Sequence, residues 1–302
     1  MIGAVELGLI YAVMALGVYL TFRILNFPDL TVDGSFTTGA ATAAILITGG
    51  THPAVATLAA GVAGLAAGVI TGLLHTKGGI NPLLAGILTQ IGLYSINLRI
   101  MGGANVPLLR EDTLLTPLRE IGLLGTAYSI AIFAALVVVV KVLLDWFLHT
   151  DTGLAMQATG DNEEMIRSFG VNTDRTKILG LALSNGLVGL CGALVAQLQG
   201  FADISMGIGL IIAGLASVIL GQAVFGSRVI IISTLAVALG SVLYRVTIQI
   251  ALQVGLDPND MKLVSAVLVV IALVLPKWGA FRRIGALRSL RRTAATSTTG
   301  GD

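Results

Sequence analysis

Nine runs of predominantly apolar residues divide the chain, at about 2–25, 33–50, 53–74, 82–100, 125–149, 176–199, 207–224, 227–252 and 260–276. Each is close to the roughly 20 residues a helix needs to cross the hydrocarbon of a bilayer. In lipid an open strand would leave its backbone polar groups without partners, so the runs are expected to be helices. The fold class predicted is therefore an all-α integral membrane protein with about nine transmembrane helices. Composition agrees: 55% of the residues are apolar, 11% are charged and the mean hydropathy is +0.93, outside the range of soluble domains. The single cysteine, Cys191, lies inside a run, which leaves no disulfide framework or thiolate cluster. His52, His75 and His149 fall far apart at run ends, and no metal site is expected. The N-terminus lacks a basic segment and a clear small-residue cleavage site, so the first run is expected to remain as a span.

Two echoes organise the runs. Phe27-Pro28-Asp29-Leu30-Thr31-Val32 returns as Phe201-Ala202-Asp203-Ile204-Ser205-Met206, and Gly79-Ile80-Asn81-Pro82 as Gly255-Leu256-Asp257-Pro258. They predict an internal duplication, with a first repeat of about 2–100, a connector helix at 125–149 and a second repeat of about 176–276, a 4+1+4 arrangement. Orientation follows from the basic residues, which are retained on the cytoplasmic side. Arg167, Arg175 and Lys177 after the fifth run, and Lys277, Arg282, Arg283, Arg288, Arg291 and Arg292 after the last, belong inside. Alternation then places Arg23, Lys77, Lys141 and Arg228 inside, and leaves Arg99, Arg110, Arg119, Arg245 and Lys262 on or near the outer side. The repeats are offset by an odd number of crossings and so run in opposite directions, which makes the repeat an inverted one.

The echoes also mark breaks. Pro28 lacks an amide hydrogen and pushes Phe27 toward an extended conformation, so the first helix is predicted to stop near Asn26. Asp29, Thr31 or Asp33 can cap the next helix, and Asp203 with Ser205 repeats the arrangement. Broken helices at equivalent places in two halves point to a solute pathway; ordinary capped turns are the other reading. Polar residues inside spans face protein or a watery cavity. Gln90, Tyr94 and Asn97 share one helix face, as do Ser241, Arg245 and Gln249. Each stripe either lines a passage or bonds neighbouring helices. The pathway candidates are thus Asn26, Asp29, Asp33, Gln90, Tyr94, Asn97, Asp203 and Arg245. Lys141 and Asp145 are spaced as a local ion pair. Gly64, Gly68 and Gly72 either mark a close helix contact or reflect the general abundance of glycine in membrane helices.

The loop of residues 150–175 carries a short helix with clear punctuation. Asp161 is expected as its N-cap with Glu164 three residues on, Gly170 as the left-handed residue past its end, and Arg167 in its last turn. Met165, Ile166 and Phe169 would form a docking knob, or else insert into the lipid interface.

This loop, opening on Gly-Leu-Ala at 153–155 and closing on Gly170-Val171-Asn172-Thr173-Asp174-Arg175, resembles the permease subunits of ABC importers of the branched-chain amino acid type. Leu25-Asn26-Phe27 is similar to the Asn-Phe signature of that family, and the resemblance runs from about residue 5 to 276. From Pro28 to Asp33, and at Gly79-Ile80-Asn81-Pro82, the chain looks more like the relatives assigned to tryptophan, tyrosine or other aromatic substrates. The resemblance implies that Asp161, Asn162, Glu163, Glu164, Met165, Ile166, Arg167 and Phe169 form a coupling helix docking on an ATPase. It further implies cytoplasmic ATPase subunits that carry ATP and Mg, a second permease subunit in a homodimer, an extracellular or periplasmic solute-binding protein, and a bacterial inner-membrane location. No phosphate-binding Gly-xxxx-Gly-Lys-Ser/Thr loop occurs in the chain, so no cofactor is expected on it. Nucleic acid is not an expected partner.

An ion-driven secondary transporter is the principal alternative, since an inverted repeat permits it equally. It fits less well with acidic residues placed at span ends and breaks. A membrane enzyme fits least, because no catalytic cluster falls inside the spans. The tail 277–302 reads as a basic, partly disordered cytoplasmic anchor to anionic lipid.

Overall fold

The computed structural model describes residues 1–226, 229–255 and 261–274. Arg228, the Leu256-Asp257-Pro258 part of the second echo and the basic tail 277–302 lie outside the described residues. The chain forms α1 (Ile2–Tyr19) continued by a π-helical turn (Leu20–Ile24), α2 (Thr31–Thr48), α3 (Pro53–Thr76), α4 (Pro82–Met101), β1 (Asn105–Pro107), α5 (Thr116–Glu120), α6 (Ala127–Leu148), α7 (Asp151–Asp161), α8 (Glu163–Ser168), α9 (Thr173–Gln199), β2 (Phe201–Asp203), α10 (Leu210–Phe225), α11 (Ile230–Gln253) and α12 (Met261–Val274). Among the described residues, six helices are long and apolar enough to cross a membrane: α1 with its π turn, α3, α4, α6, α9 and α11. The other three expected runs are helical as well. At 18 residues α2 is less apolar, with threonine and glycine through its first half, while α10 and α12 are shorter at 16 and 14 residues.

Local chemistry sets several boundaries. α3 and α4 begin alike, with Pro53 and Pro82 at their first positions, where no amide hydrogen is needed. The preceding side chains, His52 and Asn81, accept from the amides of Ala54 and Leu83. α4 ends at Gly102, whose φ of +66° is the left-handed conformation that terminates a helix.

The core is built around α1 and α9, which are far more buried than α4 and α6. α3 lies along α9 through a glycine seam. A Cβ on Gly64 would fall 2.2 Å from the Asn185 carbonyl oxygen, and one on Gly68 2.2 Å from that of Leu181. Gly64, Gly68 and Gly72 therefore mark a backbone-to-backbone helix contact. The packing pairs exchange between the two halves: α3 packs on α9 and α1 on α11, while α2 meets α4 and α10 meets α12. β1 and β2 form a two-stranded antiparallel ribbon, with Asn105 opposite Asp203 and Pro107 opposite Phe201. α9 runs from the α7–α8 end of the bundle to this ribbon.

Candidate functional site

The first break is built from strained backbone. α1 widens into the π turn Leu20–Ile24 and ends there, near Asn26 as expected, and Asn26 takes a left-handed φ of +51°. The Phe27 amide turns back to the Thr21 carbonyl at 2.8 Å. Buried Asp29 then fixes the entry into α2. Its Oδ1 accepts from the Thr31 amide at 2.9 Å and its Oδ2 from Asn185 Nδ2 at 2.7 Å, while Asn185 Oδ1 accepts from the Ser35 hydroxyl at 2.7 Å. Asn185 lies near the midpoint of α9, so the break is inside the bundle.

The echoing segment 201–206 makes the same local bond. Asp203 Oδ1 accepts from the Ser205 amide at 2.8 Å and from its hydroxyl. The Ser205 side-chain bond holds the Asp203 carboxyl below its usual range, slight burial opposing it. The two segments are joined through Asp33, which caps α10 rather than its own helix: its carboxylate oxygens accept from the Gly209 amide at 2.7 Å and the Ile211 amide at 2.8 Å.

Next to this junction is a cleft of about 520 Å³ between α2, α4 and the segment 204–208. Asp33, Gln90, Tyr94 and Asn97 all line it, with Thr37 and Ser95 nearby and Ile87, Ile91, Ile204 and Ile208 forming its apolar wall. Tyr94 and Ile91 stand exposed at its rim. Four of the pathway candidates are thus brought together. Asn26 is exposed at the break and Asp29 is sealed beneath it. Arg245 faces α1, its guanidinium 3.7 Å from the centre of the Tyr11 ring, one turn from Ser241, which donates to the Gly8 carbonyl at 2.8 Å. Those two residues of the α11 stripe bond neighbouring helices.

At the opposite end, the expected single short helix is two helices. α7 buries Met156 beside Gly180 of α9 and sets Gly160 against the π turn; a Cβ on Gly160 would lie 1.9 Å from the Ile24 carbonyl oxygen. α8 comes after it, and its N-cap is Asn162, accepting from the Met165 amide at 3.0 Å, not Asp161. Asp161 closes α7 instead, because the chain needs one extended residue between the helices and Asn162 supplies it. Gly170, at φ +85°, terminates α8 as expected.

α8 is tied to the bundle by charge. Glu163 pairs with Arg167 at 3.0 Å and with Lys177 of α9 at 2.6 Å, and Arg167 lies 3.7 Å from Asp174 of α9, which itself pairs with Lys77, just past the end of α3, at 3.1 Å. Burial opposes ionisation of Glu163, but Lys177 and Arg167 outweigh it and hold the carboxyl below its usual range. Lys177 also reaches His75 Nε2 at 3.4 Å, and the His75 ring meets Phe27 edge-on at 5.2 Å, which connects α8 to the first break. Met165 and Phe169, 49% and 75% exposed, point outward.

The sequence reading missed Asn185, which joins Asp29 to Ser35, and Glu6, whose carboxylate accepts from the Gly125 amide at 2.8 Å and from the Ser129 hydroxyl at the start of α6. Their signal was available: both are polar side chains within apolar spans.

The model of the family described as "Branched-chain amino acid transport system / permease component" matches residues 1–274. A "Tyrosine transport system permease protein" of Clostridioides difficile is 45% identical over 266 residues, covering 88% of each chain. An uncharacterized protein of Rickettsia prowazekii is 36% identical over 90% of this chain and 96% of its own length. The "Autoinducer 2 import system permease protein LsrC" of Yersinia pseudotuberculosis is 29% identical over 70% of this chain and 59% of its own. No solved structure matches. The chain belongs to the branched-chain amino acid permease family of ABC transport systems, as the loop at 150–175 and the Asn-Phe pair at 26–27 led us to expect.

Proposed function

We propose that this permease is the transmembrane subunit of an ATP-driven importer in the bacterial inner membrane, taking up an amino acid or a related small polar solute. The single observation carrying this reading is α8: a short helix fixed by ion pairs to α9 that nevertheless exposes Met165 and Phe169. An apolar knob held rigidly outside the core fits a partner protein better than solvent. The partner is a pair of cytoplasmic ATPase subunits, which bind the ATP and Mg. Family membership supports a solute-binding protein on the outer side and a second permease copy, and the name of the Clostridioides difficile relative supports tyrosine or a similar aromatic solute. Asp161, Asn162, Glu163, Glu164, Ile166 and Arg167 complete the coupling surface, and the C-terminus is cytoplasmic.

The nine-crossing inverted repeat belongs to the same reading. It is supported by the exchanged packing pairs and by Asp29 and Asp203 making the same turn bond in both copies. Motion of the ATPases would reach the first break through Glu163, Lys177, His75 and Phe27 and shift the balance between outward-open and inward-open states.

The test is reconstitution of the complete complex with its binding protein in proteoliposomes. We expect amino acid uptake that needs ATP and ignores protonophores, and that Phe169→Asp abolishes together with ATPase co-purification. Uptake driven by a proton gradient without ATP would refute the importer, and full co-purification with Phe169→Asp would refute the docking role of α8.

A further inference from the structure

We propose, resting on the importer reading, that the α2–α4 cleft is a subsite for the ammonium group of a zwitterionic amino acid, with Asn97 Oδ1 as its acceptor and the Asp33 charge beside it. Asn97 is fully buried. Its Nδ2 donates to the Gly34 carbonyl at 3.4 Å, which sets the orientation of the amide, because the reverse orientation would put two acceptors together. Its Oδ1 has no partner among the described residues. A buried amide oxygen without a donor is costly, and native proteins rarely leave one in place. Here it belongs to a residue lining the cleft, so a solute that brings a donor satisfies it.

The remaining lining narrows the donor. Asp33 carries the only formal charge among the lining residues, and none of them is a cation. Its oxygens already accept from the α10 amides. Its contribution is therefore electrostatic: it makes the polar end of the cleft favourable to a positive group. An ammonium has three donors and no acceptor and so matches both an unpaired carbonyl oxygen and a nearby carboxylate. A deaminated carboxylic acid matches neither, since it leaves Asn97 unpaired and sets two negative charges near each other. Gln90, Tyr94 and Ser95 offer neutral donors for the solute carboxylate, and the four isoleucines give an apolar wall for a branched or aromatic side chain. The volume, about 520 Å³, falls within the usual range for small-molecule sites. Because Asn97 is covered, the solute reaches it when α4 shifts in the transport cycle.

The experiment uses the whole complex in proteoliposomes with a mixture of radiolabelled L-amino acids that includes L-tyrosine. Two variants are compared: Asn97→Leu, which removes the acceptor at similar volume, and Asn97→Gln, which keeps both the amide donor and the amide acceptor. We expect Asn97→Leu to lose uptake by about tenfold or more while the complex still assembles, and Asn97→Gln to retain several-fold more uptake than Asn97→Leu. Undiminished uptake by Asn97→Leu would overturn the subsite, as would equal loss in both variants when both assemble. If Asn97→Leu does not assemble, Asn97→Gln decides alone, with retained uptake supporting the subsite and lost uptake overturning it. A wild-type complex that takes up no amino acid fails at an earlier step and overturns the importer reading, and the ammonium subsite with it.

Discussion

The two Asp-bearing turns, at Asp29 and Asp203, have the same local chemistry and opposite surroundings. In each, the carboxylate accepts from the amide two residues ahead. Asp29 then reaches across the bundle to Asn185, under a chain that has just left a π turn, and is buried. Asp203 sits in a surface ribbon opposite Asn105 and bonds Ser205 within its own turn. A short motif dictates its own hydrogen bond, whereas burial and long-range partners depend on what the rest of the chain packs against it. The consequence is energetic: the same aspartate is worth different amounts in the two places.

The sharpest way to break this contrast is Asp29→Ala. It leaves the Thr31 amide and one of the two Asn185 Nδ2 hydrogens without an acceptor in the interior, the other staying on the Leu181 carbonyl, which should cost about 3 kcal/mol, read as a large fall in the detergent unfolding temperature. A loss no greater than that of Asp203→Ala would remove the distinction. Next comes Asp33→Ala, which uncaps α10 and should cost about 1–2 kcal/mol. Hydrogen exchange should then quicken at Gly209 and Ile211, and unchanged protection there would deny the cap its role. Asp203→Ala, at the surface, should cost about 1 kcal/mol or less, with any change in exchange confined to the ribbon.

The smallest effect is a pH dependence. Because the Asp203 carboxyl lies below its ordinary value in the folded state, its contribution is complete above the unfolded value of about 3.9 and is lost as the pH falls through the lower folded value. The stability difference between wild type and Asp203→Asn should therefore be constant near neutrality and shrink only in acid below about pH 4. A difference that shrank between about pH 5 and 7 instead, well above the ordinary carboxylate range, would assign the effect to another group.

Much of the architecture was legible because it is local. Pro28 forced a break, Pro53 and Pro82 opened helices, and Gly170 closed α8 where a left-handed residue was needed. What escaped depended on partners distant in sequence. Nothing near Asp33 signals that it caps α10, since its oxygens are met by amides contributed far down the chain. Asn97 and Arg245 read alike as polar residues in apolar helices, yet one lines a cleft and the other lies over Tyr11. The choice between Asp161 and Asn162 as N-cap turned on α7, a helix that runs on to Asp161 with Gly160 against the π turn and Met156 beside Gly180 of α9.

The glycine seam between α3 and α9 bears on how the protein can move. Carbonyl oxygens occupy the space where side chains would otherwise act as bearings, so the two helices cannot slide or roll without collision. Each comes from a different half of the chain, so the halves are welded. The freedom left to the fold then lies at the periphery, in lightly packed α4.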